Sequence, residues 1–206
     1  MVLQVLGLLL IGYLVGSIPF SFLVAKTRGV DLRTVGSGNT GASNVWRTLG
    51  FRYFVVALIL DIFKGWLPAF LAHSVFQVPA IVVIGVGICA VLGHVYPVFL
   101  GFKGGKAVAT TGGVVMGFAP VLTALAAIVW TIVYKLSGYP SVASMVDVVV
   151  IALTATAMTL WGWLDPVYAA FLWVAVFYVF YLHRANIQRL LRGQEHGIGP
   201  KDQRTH

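Results

Sequence analysis

The chain has 206 residues, of which 59% are hydrophobic and 10% charged, with a mean hydropathy of +0.93. Soluble domains carry about 25% charged and about 45–50% apolar residues, so a soluble fold, a disordered chain and a nucleic-acid-binding arm are all excluded. What remains is an integral membrane protein with a lopsided charge: 14 Lys and Arg against 6 Asp and Glu, net +8.

The apolar run from Val2 past Val15 has no basic segment before it and no A-x-A-like site after it. It reads as a first spanning helix rather than a secretory signal. A bilayer core of about 30 Å needs roughly 20 apolar residues as helix. The stretches 2–25, 53–72, 80–100, 141–161 and 166–183 meet that length. The stretch 106–136 would make one helix of roughly 46 Å, too long without strong tilt. Gly117-Phe118-Ala119-Pro120 is its natural break, because proline cannot continue a helix in its interior. Splitting there gives helices over 106–118 and 120–136 and a total of seven spans.

Seven spans place thirteen of the fourteen basic residues on one side. They are Lys26, Arg28, Arg33, Arg47 and Arg52, then Lys103 and Lys106, then Lys135, and finally Arg184, Arg189, Arg192, Lys201 and Arg204. The opposite segments 73–79, 118–120 and 163–166 carry none. The positive-inside rule then puts the N-terminus outside and the C-terminus in the cytoplasm. The expectation is an all-α, seven-helix single membrane domain over 1–206, with cytoplasmic loops at about 26–52, 101–110, 137–144 and 183–195. No internal repeat suggests a transporter of inverted halves. The single cysteine, Cys89, reads as a helix-packing residue and forms neither disulfide nor zinc cluster.

The loops carry the chemistry. The first contains Gly36-Ser37-Gly38-Asn39-Thr40-Gly41 followed by Asn44 and Arg47. It fails as a dinucleotide fingerprint, since no strand precedes it. Glycines still let successive N–H groups face one concavity that binds anions, and Arg47 offers a planar fork suited to phosphate. A polar connector with a helix cap at Ser43 or Asn44 is the alternative. The second loop, from Gly93-His94 through Lys103-Gly104-Gly105-Lys106-Ala107, is no Walker A, because Leu100 stands where its first glycine belongs and Ala107 lacks the hydroxyl. Gly-Gly-Lys opening a helix is nonetheless a phosphate cradle of bare amides and an ammonium. The rival reading, a pair of snorkelling lysines, leaves the double glycine unexplained. Ser144, near the start of a helix, either donates to an anion or caps that helix, and Asp147 lies one turn on. His183 and Asn186 are spaced to share a helix face, within a segment that also reads as a basic amphipathic tail on anionic lipid. Asp61 and Lys64, at i and i+3 in a span, mark either function or helix packing.

Two glycine-plus-cation loops suggest phosphate-bearing substrates, and the apolar bundle suggests a lipid-like partner. No G-x-S-x-G elbow occurs. No histidine is followed by the aspartate of H-x4-D acyltransferases: Val78, Phe99, Gln188 and Lys201 stand five residues after His73, His94, His183 and His196. Scattered histidines and few loop carboxylates argue against a metal.

Three segments resemble the motifs of the bacterial acyl-phosphate:glycerol-3-phosphate acyltransferases, in order and over nearly the whole chain. They are Gly36-Ser37-Gly38-Asn39-x-Gly41-Ala42-x-Asn44-x-x-Arg47, Gly93-His94-x-x-Pro97-Val98-Phe99-Leu100-x-Phe102-Lys103-Gly104-Gly105-Lys106, and His183-Arg184-x-Asn186-Ile187-x-Arg189-Leu190-Leu191-x-Gly193-x-Glu195. Asp61-x-x-Lys64-Gly65 is similar to a further family feature. The resemblance implies a seven-helix enzyme of the bacterial inner membrane with a cytoplasmic active site. Its partners would be acyl phosphate, glycerol 3-phosphate and membrane lipid, with no cofactor, no metal and no nucleic acid. It implies that Ser37, Gly38, Asn39, Thr40 and Gly41 line the acyl phosphate's anion hole, helped by Gly104 and Gly105. It implies that Arg47, Lys106, Ser144, His183 and Asn186 hold glycerol 3-phosphate. Gly36, Asn44, His94, Lys103 and Glu195 join the binding set as motif positions. The attacking hydroxyl's proton passes either to the donor's own phosphate or to His183 or His94. A phosphate-ester permease and a lipid-binding scaffold are the alternative classes. Departures from the family pattern are Ser43 for Thr, Tyr96 for Phe, Leu182 for Arg and Ala107 for Gly. Ala107 matters most, since an added Cβ narrows the approach to the loop.

Overall fold

The structure, a computed structural model, describes residues 2–198; Lys201 and Arg204 of the basic set lie outside the described residues. The described chain is helical, with no strand among the described residues. The helices are α1 (Val2–Gly16), α2 (Phe20–Lys26), α3 (Ala42–Leu49), α4 (Phe51–Phe70), α5 (Ala80–Val95), α6 (Val108–Phe118), α7 (Pro120–Ser137), α8 (Pro140–Leu160), α9 (Pro166–Leu182) and α10 (Arg184–Leu191). They divide into two compact units, Met1–Thr123 and Ala124–His206.

All seven expected stretches are helical. Five are long and apolar enough to cross a membrane, six if α9 and α10, bent by 56°, count as one. The break at Pro120 stands where sequence placed it, but α6 has only 11 residues, about 16 Å of rise. The first stretch differs from expectation. It is not one helix over 2–25 but two, parted at Ser17-Ile18-Pro19, where Pro19 has no N–H to carry the ladder on.

In the first unit, small residues let helix backbones meet. A Cβ on Gly16 would fall on the Ala90 backbone of α5, and one on Gly93 would fall on Tyr13 and Gly16 of α1. Gly65 and Gly113 bring α4 and α6 together in the same way, against Thr110 and Ile62. Without a hydrophobic drive between helices in lipid, such close packing is a main source of association. α3 lies on α4 through Trp46, whose ring stacks on Phe54 at 4.5 Å.

The break in the first stretch is bridged by charge. Asp61 and Lys64 form an ion pair at 2.8 Å, each only 1% exposed. Ser21 of α2 donates to the other Asp61 oxygen at 2.5 Å. Lys64 donates to the Ile18 carbonyl at 2.9 Å, and the Thr110 hydroxyl of α6 donates to the Asp61 backbone carbonyl at 3.1 Å. The pair thus joins the broken span, α4 and α6, which favours the packing reading of these two residues.

In the second unit α8 packs along α9, and the Trp173 indole donates to Thr156 at 3.0 Å. Asp165 caps α9 by accepting from the Val167 amide at 2.9 Å.

Removing one member of a buried pair strands the other charge, at a cost of about 3–5 kcal/mol. Lys64→Met is therefore expected to lower the thermal midpoint in detergent sharply, and Asp61→Asn with Lys64→Met to recover most of the loss. An unchanged midpoint in Lys64→Met would overturn this account of the pair.

Candidate active site

The first glycine loop is built around one buried amide. Asn44, 1% exposed, donates from Nδ2 to the carbonyls of Leu32 at 3.1 Å and Val35 at 3.0 Å. Its Oδ1 accepts from the Ser37 amide at 2.9 Å and, at 3.4 Å, from the Arg47 guanidinium. Two donors and two lone pairs are the full capacity of a side-chain amide. Asn44, which the sequence motif sets among the substrate-binding residues, spends that capacity on shaping the loop and aiming Arg47. Gly36 and Gly38 take φ of +58° and +70°, a region open to glycine at little cost. Asn39 turns back on the chain to accept from the Gly41 amide at 3.0 Å. Gly41, rather than Ser43 or Asn44, is the N-cap of α3. Thr40 is buried and Ser37 half-buried.

At the entrance to this loop Asp31 receives three bonds from Arg33, two from the guanidinium and one from the backbone amide, and sits 3.6 Å from Lys26. The Arg33 hydrogen bonds hold the Asp31 carboxyl well below its usual range, and Asp31 in turn raises Arg33.

The second loop corrects an expectation. The Gly104 amide donates to Val95 at 3.0 Å and the Gly105 amide to His94 at 3.2 Å. These are not bare amides waiting for phosphate. The double glycine is needed for space: a Cβ on Gly104 would strike the His94 carbonyl oxygen, and one on Gly105 the His94 imidazole. His94, a binding and general-base candidate from sequence, is correspondingly buried beneath the loop, its Nδ1 3.9 Å from Asp61. Lys103 is exposed and Lys106 half-buried. Ala107, the N-cap of α6, has φ +68° and is 1% exposed. The position that departs from the family's glycine is thus one whose backbone favours glycine.

In the second unit, Ser144 does not cap α8, whose N-cap is Tyr139. Ser144 accepts from the Trp130 indole at 3.1 Å. No sequence motif marks Trp130, and among the described hydrogen bonds none joins Ser144 to Asp147. His183 ends α9 and caps α10, so His183 and Asn186 lie across a bend, not on one continuous helix. His183 Nδ1 is 2.8 Å from the Val179 carbonyl. A carbonyl only accepts, so Nδ1 carries the proton and Nε2 is the acceptor of the neutral ring.

Glu195 is a clasp. It accepts from Ser141 at 2.8 Å, Asn186 at 2.6 Å and Arg189 at 2.8 Å. With its side chain 3% exposed, this residue, set in the binding group by the sequence motif, ties the last described segment to α8 and α10. The tail is held again by Tyr134, which donates to the Ile198 carbonyl at 2.7 Å. Burial pushes the Glu195 carboxyl up, but the bonds from Asn186, Ser141 and Arg189 outweigh it and leave the carboxyl below its ordinary value. A carboxyl depressed by folding stabilises above its unfolded pKa and loses that contribution as pH falls through the folded one. Protection of the amides at 193–198, taken relative to their intrinsic exchange rate at each pH, is therefore expected to be high above about pH 5 and to fall on acidification. Glu195→Gln should show low protection at both ends of that range; high protection in this variant at neutral pH would overturn the clasp.

Comparison with known proteins agrees with this architecture. The family described as glycerol-3-phosphate acyltransferase matches residues 6–193. A glycerol-3-phosphate acyltransferase of Roseiflexus sp. (strain RS-1) is 47% identical over 92% of this chain and 93% of its own length. Another, from Aquifex aeolicus (strain VF5), is 42% identical over 94% and 99%. Two crystal structures of PlsY (YgiH), an integral membrane glycerol 3-phosphate acyltransferase, share the fold. The glycerol 3-phosphate form has a TM-score of 0.88 at 40% identity and covers 98% of this chain and 100% of that one. The lysophosphatidic acid form has a TM-score of 0.86 at 39% identity and covers 97% of each. With a family match over nearly all of its length and these relatives, the chain belongs to the glycerol-3-phosphate acyltransferase family.

Proposed function

We propose that this chain moves a fatty acyl group from acyl phosphate to the 1-hydroxyl of glycerol 3-phosphate, giving lysophosphatidate and inorganic phosphate. The observation that carries the reading is the likeness, over nearly the full chain, to a protein solved both in a glycerol 3-phosphate form and in a lysophosphatidic acid form. Those two molecules are the acceptor and the product of this reaction.

In the first unit, Ser37, Gly38, Asn39, Thr40 and Gly41 receive the phosphate of the acyl donor, and Arg47 and Lys106 receive that of glycerol 3-phosphate. Ser144, His183 and Asn186 are the further residues that the motifs assign to glycerol 3-phosphate. The loop shaped by Asn44 and the guanidinium it steers support the first assignment. The chain spans the inner membrane seven times, with α6 as a short span, the N-terminus outside and the motif loops in the cytoplasm. The one-sided distribution of Lys and Arg supports that orientation.

A mixed anhydride is already activated, so the protein supplies position and charge. The 1-hydroxyl oxygen attacks the acyl carbon, the carbon–oxygen bond to phosphate breaks, and the departing phosphate takes the hydroxyl proton. A second reading makes His183 the base, and the Nδ1–H to Val179 bond favours it by turning Nε2 into an acceptor.

The deciding assay incubates purified protein in detergent with acyl phosphate and labelled glycerol 3-phosphate. Labelled lysophosphatidate is expected; its absence from folded protein would point to a permease or a lipid-binding scaffold. Arg47→Ala should raise KM for glycerol 3-phosphate about tenfold or more, as loss of a charge-assisted contact does, and an unchanged KM would remove Arg47 from that role. His183→Gln should keep most of its kcat if phosphate is the base; a fall beyond about a hundredfold would assign the proton to His183.

A further inference from the structure

The proposed reaction leaves the buried cluster of the first unit without a part. Asp61 is fixed from two sides, by Lys64 at 2.8 Å and Ser21 at 2.5 Å. His94 Nδ1 faces it at 3.9 Å, has no hydrogen-bond partner and is buried with the rest of its ring. The other edge of that ring lies where a Cβ on Gly105 would go, within 2.8 Å of Cε1 and 3.3 Å of Cδ2. The His94 and Val95 carbonyls take the amides of Gly105 and Gly104. On the far side of Lys106, Ala107 is held in the left-handed region at φ +68°. One turn later the Thr110 hydroxyl is bonded to the Asp61 backbone.

Lys106 is therefore bracketed: the residue before it rests on the His94 ring, and the helix after it is bolted to α4 at Asp61. A lysine ammonium rides on a flexible four-carbon stem, so a protein sets its position largely by fixing the backbone beneath it. We propose that His94, packed beside Asp61, is a positioning residue that sets the height of the Gly105-Lys106 backbone and, through it, the fit of Lys106 to the phosphate of glycerol 3-phosphate. This rests on the assignment of Lys106 to that phosphate.

The two glycines supply an internal control. The obstacle facing Gly105 is a side chain that can be cut away, whereas the obstacle facing Gly104 is the His94 carbonyl oxygen, which no substitution at 94 removes. His94→Asn keeps a polar group on the Asp61 side and deletes the ring edge under Gly105. KM and kcat for glycerol 3-phosphate would be measured for Gly104→Ala, Gly105→Ala and Lys106→Ala, each alone and combined with His94→Asn, with thermal midpoints alongside to show that each variant folds. Gly105→Ala is expected to raise KM about tenfold with kcat changed less than about threefold, and His94→Asn to bring KM back to within about threefold of the wild type. Gly104→Ala should gain nothing from His94→Asn. In Lys106→Ala, with KM already raised, His94→Asn should add no further change.

Equal rescue of both glycine variants, or no rescue of Gly105→Ala, overturns the inference. So does a multiplicative effect of His94→Asn on top of Lys106→Ala. If Lys106→Ala alone leaves KM unchanged, the assignment of Lys106 fails and the inference falls with it, whereas a raised KM with additive His94 effects overturns the positioning role alone. Should His94→Asn not fold, His94→Gln, which also removes the ring, is read in the same way against Lys106→Ala.

Discussion

The first unit depends on a salt bridge in a place where salt bridges are costly. Asp61 and Lys64 are both 1% exposed, and charge within a spanning segment carries a penalty of several kcal/mol unless it is paired and hydrogen-bonded. Here the pairing is complete enough to act as a joint. The aspartate takes Ser21, the lysine takes the Ile18 carbonyl, and the backbone between them takes Thr110. Those contacts hold the two parts of the broken first span and the start of α6 to one helix. The first span can be interrupted because its open backbone group is met by Lys64, and the interruption in turn brings Ser21 to Asp61.

Polar groups inside each unit serve shape as much as chemistry. Asn44 spends its whole hydrogen-bonding capacity on the loop around it, and Glu195 spends its carboxylate on the segment that carries it. In both, one buried side chain replaces the regular ladder that a loop lacks, in keeping with the demand that buried polar atoms find partners. The groups assigned to substrate are in turn held by these two: Arg47 by Asn44, Asn186 by Glu195.

Much of this was legible in the chain of letters. Composition alone required a membrane protein, apolar length located the long helices, five or six of which are long and apolar enough to span, and Pro120 marked the division between α6 and α7. What escaped notice has physical reasons. The gap at Ser17-Ile18-Pro19 was hidden because hydrophobic length continues through it, although Pro19 was visible as a residue unable to donate. The amides of Gly104 and Gly105 looked available because their partners, the His94 and Val95 carbonyls, come near only through a tight turn in space. Trp130 escaped because its indole reaches Ser144 from another helix. Glu195 was readable in principle: a carboxylate among groups meant for phosphate has the wrong sign for a ligand, and that sign points to a structural partner such as Arg189.

Trp130 has a practical side. Its indole nitrogen is bonded to Ser144, its ring stacks on Tyr134 at 5.2 Å, and Tyr134 holds the Ile198 carbonyl. Indole emission responds to hydrogen bonding at the ring nitrogen and to what lies against the ring face. One of the six tryptophans is thus wired both to a proposed substrate group and to the clasped tail, so a variant that keeps Trp130 as its sole tryptophan would carry an optical reporter of the second unit without a label.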